Sequence, residues 1–176
     1  MNFNHIGNIS TNLWKKGIAS FKEKDWNEYT FRQNTFEVHQ HTRTIFLLFD
    51  QDYRNDSPTH HPHYKKFAKP LKDVENILKN RYGNGHLIRA LLILLKMKKS
   101  IPPHIDKGNS MEICHRVHIP ITTTPRVFFT IDKETKCLKE GEMWEIDNSN
   151  KYHSVINKSR YNRIHLVVDW ITARDI

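Results

Sequence analysis

Cysteine is almost absent from this chain of 176 residues; Cys114 and Cys137 are the only two. So few thiols exclude a disulfide framework as the basis of the fold, and both are expected to be free. Long apolar runs are missing too. The stretch Leu91–Leu95 ends at Lys96, far short of the roughly 20 residues that cross a bilayer. The opening residues, Met1 to Gly7, lack the basic-then-apolar pattern of a secretory leader. A soluble, cytoplasmic protein with no membrane partner is therefore expected. Acidic residues are also scarce: 19 Asp and Glu face 28 Lys and Arg, leaving a net charge of +9. Such an excess suits a polyanion, but the bases are scattered in pairs such as Lys15-Lys16, Lys65-Lys66 and Lys98-Lys99. No basic stripe interleaved with aromatics appears. A dispersed, solvated charge is the favoured reading over nucleic-acid binding.

What is present suits a folded domain. Hydrophobic residues make up 38% and aromatics 11%, enough for a real core in one domain spanning 1–176. No repeat, low-complexity tract or linker divides it. Leu13, Trp14, Ile18 and Phe21 recur at helical spacing within about 10–22. Thr42 to Phe49 reads as a strand, and Asp50 to His63 as a long loop of the kind that walls a site. Pro70 stands where a helix begins, with Leu71, Val74, Ile77 and Leu78 as its apolar stripe, and Gly83-Asn-Gly85 stops it. Leu87 to Met97 follows as a buried strand carrying Arg89. Strands are then expected at about 112–121, 126–132, 142–146, 153–157 and 163–170. The chain thus divides into a helical flank with a first strand (1–86) and a β-rich core (87–170), a sandwich or barrel.

Within that core the residues with the most chemistry are His104, Asp106 and His153, followed by Arg163. Two imidazoles and a carboxylate are the facial ligand set of non-haem Fe(II) oxygenases, which leaves three positions open. Ile101-Pro-Pro-His-Ile-Asp106 suggests that the prolines end one segment and start an extended one. His104 and Asp106, two apart on a strand, would then share a face. His153-Ser-Val-Ile-Asn157 and Arg163 to Trp170 read as two arms of a hairpin around Lys158–Asn162, which would return Arg163 toward His153. An Arg in an apolar strand needs an anionic partner, and a dicarboxylate co-substrate is one that a guanidinium grips through paired bonds.

The region from His104 to Trp170 resembles the aspartyl/asparaginyl β-hydroxylase-like family of Fe(II)/2-oxoglutarate dioxygenases, which includes proline and other amino-acid hydroxylases. The likeness rests on His104-Ile-Asp106, Arg116-Val-His-Ile-Pro-Ile121, Gly141-Glu-Met-Trp-Glu-Ile-Asp147, His153-Ser-Val155 and Arg163-Ile-His165. It extends weakly upstream through Thr44–Leu47 and Arg89–Leu91. The resemblance implies a double-stranded β-helix (jelly roll) with flanking helices. It implies metal ligation by His104, Asp106 and His153, the distal carboxylate of 2-oxoglutarate on Arg163, and Arg116 and His118 lining the co-substrate site. Fe(II), 2-oxoglutarate and O2 would be the cofactors, succinate and CO2 the by-products. The aspartyl/asparaginyl hydroxylases proper lack the metal carboxylate. Asp106 therefore moves the expected substrate from Asp or Asn toward another amino acid, free or in a peptide or protein.

Duller and competing readings accompany these. The duller reading of Arg116 is an ion pair with Glu112, and Trp144 and Trp170 are most simply core. His60, His61 and His63 read as solvated loop rather than a metal cluster, and His39 and His41 stand at strand spacing. The substrate carboxylate has Arg32, Arg43, Arg54 and Arg89 as candidates. Two other function classes compete: a cupin-like metal-dependent isomerase or lyase, which has no use for Arg163, and a basic non-enzymatic binding module of the same fold.

Overall fold

Strand side chains alternate between faces, so a strand buried along both faces has a layer packed on each side. Gly85–Leu95 (β4) and Arg163–Thr172 (β11) are such strands: β11 is buried along its whole length, β4 from Leu87 onward. They pair antiparallel at the centre of the molecule, with Arg163 opposite Leu95 and Asp169 opposite Arg89.

The computed structural model describes residues 1–50 and 58–172. Around the central pair lie β1 (Phe3–Asn8), β2 (Thr42–Phe49), β3 (Thr59–His60), β6 (His115–Thr122) and β9 (Glu142–Ile146). These form one antiparallel sheet in the order β1-β9-β6-β11-β4-β2-β3. A second sheet, β5-β10-β7-β8, is built from β5 (Ser100–His104), β7 (Val127–Ile131), β8 (Glu134–Lys136) and β10 (His153–Asn157). The helices are α1 (Asn12–Ile18), α2 (Glu23–Trp26), α3 (Phe31–Thr35), α4 (Tyr64–Tyr82) and α5 (Asn109–Ile113), with a 3-10 turn at Glu37–His39. Among the described residues no helix is long and apolar enough to cross a membrane.

Two large cores and a small third one, of Leu91, Ile93 and Val167, result from the alternation. Leu166, Val168 and Trp170 of β11, Ala90, Leu92 and Leu94 of β4, and Val117, Ile119 and Ile121 of β6 face the helices. They pack against Trp14 of α1 and Phe67, Leu71, Val74 and Leu78 of α4. Leu95, Ile146 and Phe3 face the smaller sheet and meet Ile101, Phe129, Ile131 and Val155. The mainly β jelly roll with a helical flank is the architecture expected from the pattern of short strands. Segment 1–86 nevertheless contributes three strands to the large sheet, of which only β2 was legible.

Three local expectations are corrected. Pro70 lies inside α4, which starts at Tyr64, and not at its first turn. Proline inside a helix costs roughly 3 kcal/mol. Phe67 extends the stripe one turn upstream of Leu71, and each fully buried side chain of this kind contributes about 1.5–3 kcal/mol, so the stripe outweighs the break. Pro102 and Pro103 lie within β5 rather than before it. The strand tolerates them because β5 is a sheet edge, paired only with β10. β10 and β11 are also not a hairpin. Both edges of β10 are taken, by β5 and β7, and the chain crosses at 158–162 to the facing sheet. Asn157 fixes that crossing: its Nδ2 donates to Tyr161 O at 2.8 Å and Lys96 O at 3.3 Å, and its Oδ1 accepts from Ser159 Oγ at 2.7 Å. Residues 51–57 of the expected loop, Arg54 among them, fall outside the described residues.

The helical flank docks through one close approach. Trp14 stacks on Phe67 with ring centroids 5.2 Å apart, and a Cβ on Gly17 would stand 2.5 Å from the same phenylalanine ring. Gly17→Ala is expected to overpack this contact and destabilise the protein by about 1–3 kcal/mol. Urea denaturation at neutral pH measures it, and an unchanged midpoint would show that the helices are not held this way.

Candidate metal centre

The inner face of the large sheet carries polar side chains where a core would carry aliphatics. On β11 the inward residues are Arg163, His165, Val167 and Asp169, all buried. Beside them lie Arg116 and His118 of β6, opposite Asp169 and Val167, and Arg89 of β4. Facing them across the sandwich are the ends of β5 and β10, where His104 pairs with His153 in register.

That register brings the two imidazoles together with ring centroids 4.2 Å apart. Asp106 completes the group: one ligand atom each from His104, Asp106 and His153 all lie within 4.8 Å of one another. Asp106 does not reach this place as the second residue of a strand. It lies past the end of β5, held by Asn148, whose backbone carbonyl accepts from Asp106 N at 2.9 Å and whose Nδ2 donates to Asp106 Oδ2 at 2.8 Å. Arg116 Nη1 donates to the same Oδ2 at 2.5 Å. Both donors thus load one oxygen, and Oδ1 is turned toward His104 Nε2, 3.5 Å away. His104 Nδ1 donates to the Pro102 carbonyl at 2.9 Å. In the neutral ring that bond places the proton on Nδ1 and turns the Nε2 lone pair inward, the arrangement a ligating imidazole needs.

The charge states suit a cation. Burial works to raise the Asp106 carboxyl, but the charge of Arg116 and the bond from Asn148 hold it well below the usual range. Burial lowers His153 to about 4, so its ring is neutral at pH 7. For His104 burial is outweighed by Asp106 and the Pro102 carbonyl, which raise its pKa, so an incoming metal would displace a proton from that ring; deprotonated carboxylate and neutral imidazoles are the forms that bind metal.

Behind the triad is a small inner cavity, and in front a larger one of about 740 Å³ that shares His104, Asp106 and Arg116 as walls. Arg163 lines the inner one. Its guanidinium is fully buried and has no carboxylate among its described contacts; Nη2 donates to His165 Nδ1 and Nε is unpartnered. Burial lowers its pKa to about 9. His118 Nδ1 and His165 Nε2 are likewise buried without partners, and burial holds both rings well below the ordinary histidine range. A buried cation beside unpartnered donors is costly unless an anion joins it. The cradle fits a carboxylate.

Sequence reasoning named Arg116 as part of the co-substrate wall, with Glu112 as the dull alternative. Arg116 lines the inner cavity, and its ion pairs go to carboxylates other than Glu112. Arg116 Nε and Nη2 donate to the two oxygens of Asp169 at 2.7 Å each, and Nη1 is spent on Asp106. Asp169, which receives Arg89 Nη1 at 2.8 Å as well, was missed. A carboxylate in the apolar run Val167-Val168-Asp169-Trp170 was a visible signal, since an ionised group there requires partners. Asn148 left no such signal. Among the candidate arginines, Arg89 is bound to Asp169, Arg43 pairs with Glu23, and Arg32 reaches the site. His39 reaches it too, from the 3-10 turn rather than a strand, with its ring edge-on to His104 at 5.4 Å. His60, His61 and His63 do not converge: they meet Tyr64, Tyr29 and Phe21 respectively. Trp170 is core, while Trp144 is only partly buried at its margin.

The model of the aspartyl/asparaginyl β-hydroxylase family matches residues 8–173. The chain belongs to this family. It is accordingly an enzyme of the hydroxylase class. Among solved structures, an oxidoreductase of the 2OG-Fe(II) oxygenase family from Burkholderia pseudomallei is similar at 14% identity and TM-score 0.59, over 87% of this chain and 80% of that one. The collagen prolyl hydroxylase vCPH of Paramecium bursaria Chlorella virus-1, in its 2OG complex, is similar at 10% identity and TM-score 0.57, over 97% and 95%. At such identities the likeness is one of fold. No curated protein matches the sequence.

Two outcomes follow for this β-hydroxylase-family site. Asp169→Asn leaves Arg116 and Arg89 buried with a neutral partner and is expected to cost about 3–5 kcal/mol, read as a lowered urea midpoint. The metal-free protein is also expected to weaken on acidification. His39, His118, His153 and His165 are depressed by burial, to about 3 for His39 and about 4 for His153. The unfolded chain takes up these protons near pH 6.5, so their stabilising contribution is complete above that value and is lost progressively from there toward pH 4. Urea midpoints across this range measure it; a flat profile would contradict buried neutral histidines.

Proposed function

We propose that this protein is an Fe(II)- and 2-oxoglutarate-dependent dioxygenase that hydroxylates an amino-acid side chain, free or within a peptide or protein. The observation that carries the reading is the conjunction of the His104-Asp106-His153 group with the unpaired, buried Arg163 behind it. A metal-dependent isomerase or lyase would need the first and not the second. A binding module would need neither.

His104, Asp106 and His153 would hold the metal by Nε2, Oδ1 and an imidazole nitrogen, three ligands that leave positions free for co-substrate and O2. Bound Fe(II) supplies O2 activation, driven by oxidative decarboxylation of 2-oxoglutarate to succinate and CO2. The protein supplies placement. Arg163 binds the distal carboxylate of 2-oxoglutarate, and its burial strengthens that pairing by excluding competing water. His165 orients the guanidinium: its Nδ1 accepts from Nη2, which leaves its proton on Nε2 as a further buried donor. His118 lines the same inner cavity with an unpartnered Nδ1. Arg116 and Asn148 keep Asp106 ionised and aimed, as outer partners of metal ligands do. Phe46, Phe49, Leu91, Ile93 and Val167 wall the outer cavity with apolar surface and limit water at the reacting carbon.

The test is a screen of free amino acids and short peptides with Fe(II) and 2-oxoglutarate, scored by succinate release and by gain of one oxygen in the product. His153→Ala is expected to abolish both and to weaken metal binding. Arg163→Met should raise the KM for 2-oxoglutarate by on the order of 10²-fold, the loss of one buried charge pair, while metal binding is retained. If the unmodified protein, loaded with Fe(II), turns over no 2-oxoglutarate with or without substrate, the reading is wrong.

A further inference from the structure

Arg32 is a second unpaired cation at this centre, on the substrate side. It projects from α3 into both cavities, the large outer one and the inner one. Among the described residues its hydrogen bonds go to neutral groups: Nη1 donates to Thr44 Oγ1 at 3.2 Å and Nη2 to His39 Nε2 at 3.1 Å. A guanidinium only donates, so His39 Nε2 accepts that bond and adds no negative charge. The same ring stands edge-on to His104, so the guanidinium is tied to the metal group through one imidazole. The other cations of the cavity differ. Arg89 pairs with Asp169 and Arg116 with both Asp169 and Asp106, whereas Arg32 makes no ion pair among the described residues. Burial and the repulsion of Arg116 lower its pKa to about 10. A guanidinium in this position gains most from an incoming anion.

The surroundings specify what else that anion carries. Phe31 and Phe36, which flank Arg32 on the cavity rim, are 69% and 49% exposed. Exposed aromatics at a cavity mouth mark a binding surface more than a folding one. Phe46, Phe49 and Met111 continue the apolar wall inward.

We propose that Arg32 binds the carboxylate of the substrate, and that the substrate is an amino-acid residue with a free α-carboxylate and an apolar side chain. Carboxylate on Arg32 and apolar body against the phenylalanines would present the side chain to the metal from the outer cavity, while Arg163 keeps the inner one for the co-substrate. Such a group comes from a free amino acid or from the C-terminal residue of a peptide. This rests on the oxygenase reading given above, and the two fail separately.

The decisive measurement is calorimetric titration of the protein carrying Fe(II) and 2-oxoglutarate, with oxygen excluded. The probes are N-acetyl-L-phenylalanine, its uncharged amide, and L-phenylalanine. The acid is expected to bind at least about tenfold more tightly than the amide. That preference should disappear in Arg32→Met and be partly restored in Arg32→Lys. Tighter binding of L-phenylalanine assigns the free amino acid, and tighter binding of the acetylated form assigns a peptide C-terminus. Equal binding of acid and amide to the unmodified protein, binding of neither, or an acid preference that survives Arg32→Met overturns the proposal. The acid–amide comparison uses no variant, so misfolding of Arg32→Met cannot mask the result. Lack of 2-oxoglutarate binding and turnover by the unmodified protein would instead sink the oxygenase reading itself.

Discussion

The pairing of Arg116 with Asp169 and Asp106 is the interaction on which the rest of the site depends. Asp169 is wholly buried on the central strand, where an ionised carboxylate survives only with hydrogen-bonded counter-charges. Arg116 answers it with two bonds and Arg89 with a third. Once so fixed, Arg116 has Nη1 left over, and that nitrogen captures Asp106 from a loop with no strand partner of its own. The most rigid part of the fold thereby positions its least regular metal-site residue. Lost burial of one carboxylate would therefore be felt at another on the opposite side of the guanidinium.

Charge is arranged in layers around this bridge. Arg116 and Arg89 are neutralised within the protein, whereas Arg163 behind the metal group and Arg32 in front of it make no ion pair among the described residues. All four line the cavities, but the fold has balanced the two that brace Asp169 and left the other two without a carboxylate among the described residues. Neutral histidines stand beside each unpaired one, His165 by Arg163 and His39 by Arg32. They orient a guanidinium without quenching its charge, which keeps it available to an anion.

Much of the fold was legible because it follows from periodicity. β2, β9 and β10 begin and end where alternation and turn residues placed them, and the double-sided burial of β4 was visible in its unbroken aliphatics. β1 and β8 were not, since Asn4, His5 and Gly7, like Glu134 and Lys136, give a strand no apolar face of its own. Their pairing is supplied by neighbours, β9 and β7. The helix start was misplaced at Pro70 because local propensity favours proline in a first turn, while Phe67, buried against Trp14, paid for extending the helix past it. The supposed β10–β11 hairpin failed for a related reason: a five-residue turn can connect strands in one sheet or in two, and only the occupied edges of β10 decide which.

The sequence by itself determined the chemical inventory: two imidazoles, a carboxylate and an arginine in an order that implies an oxygenase site, in a chain patterned for a β sandwich. Residue type and spacing suffice for that, because ligand chemistry and strand periodicity are local properties. The tertiary structure alone decided which arginine does what. Arg32, Arg89, Arg116 and Arg163 carry the same group, and their roles differ only by what stands opposite each across the sheets. Those partners, Asp169 above all, are distant along the chain, and an arginine's chemistry in a buried site is set by the charge it meets there.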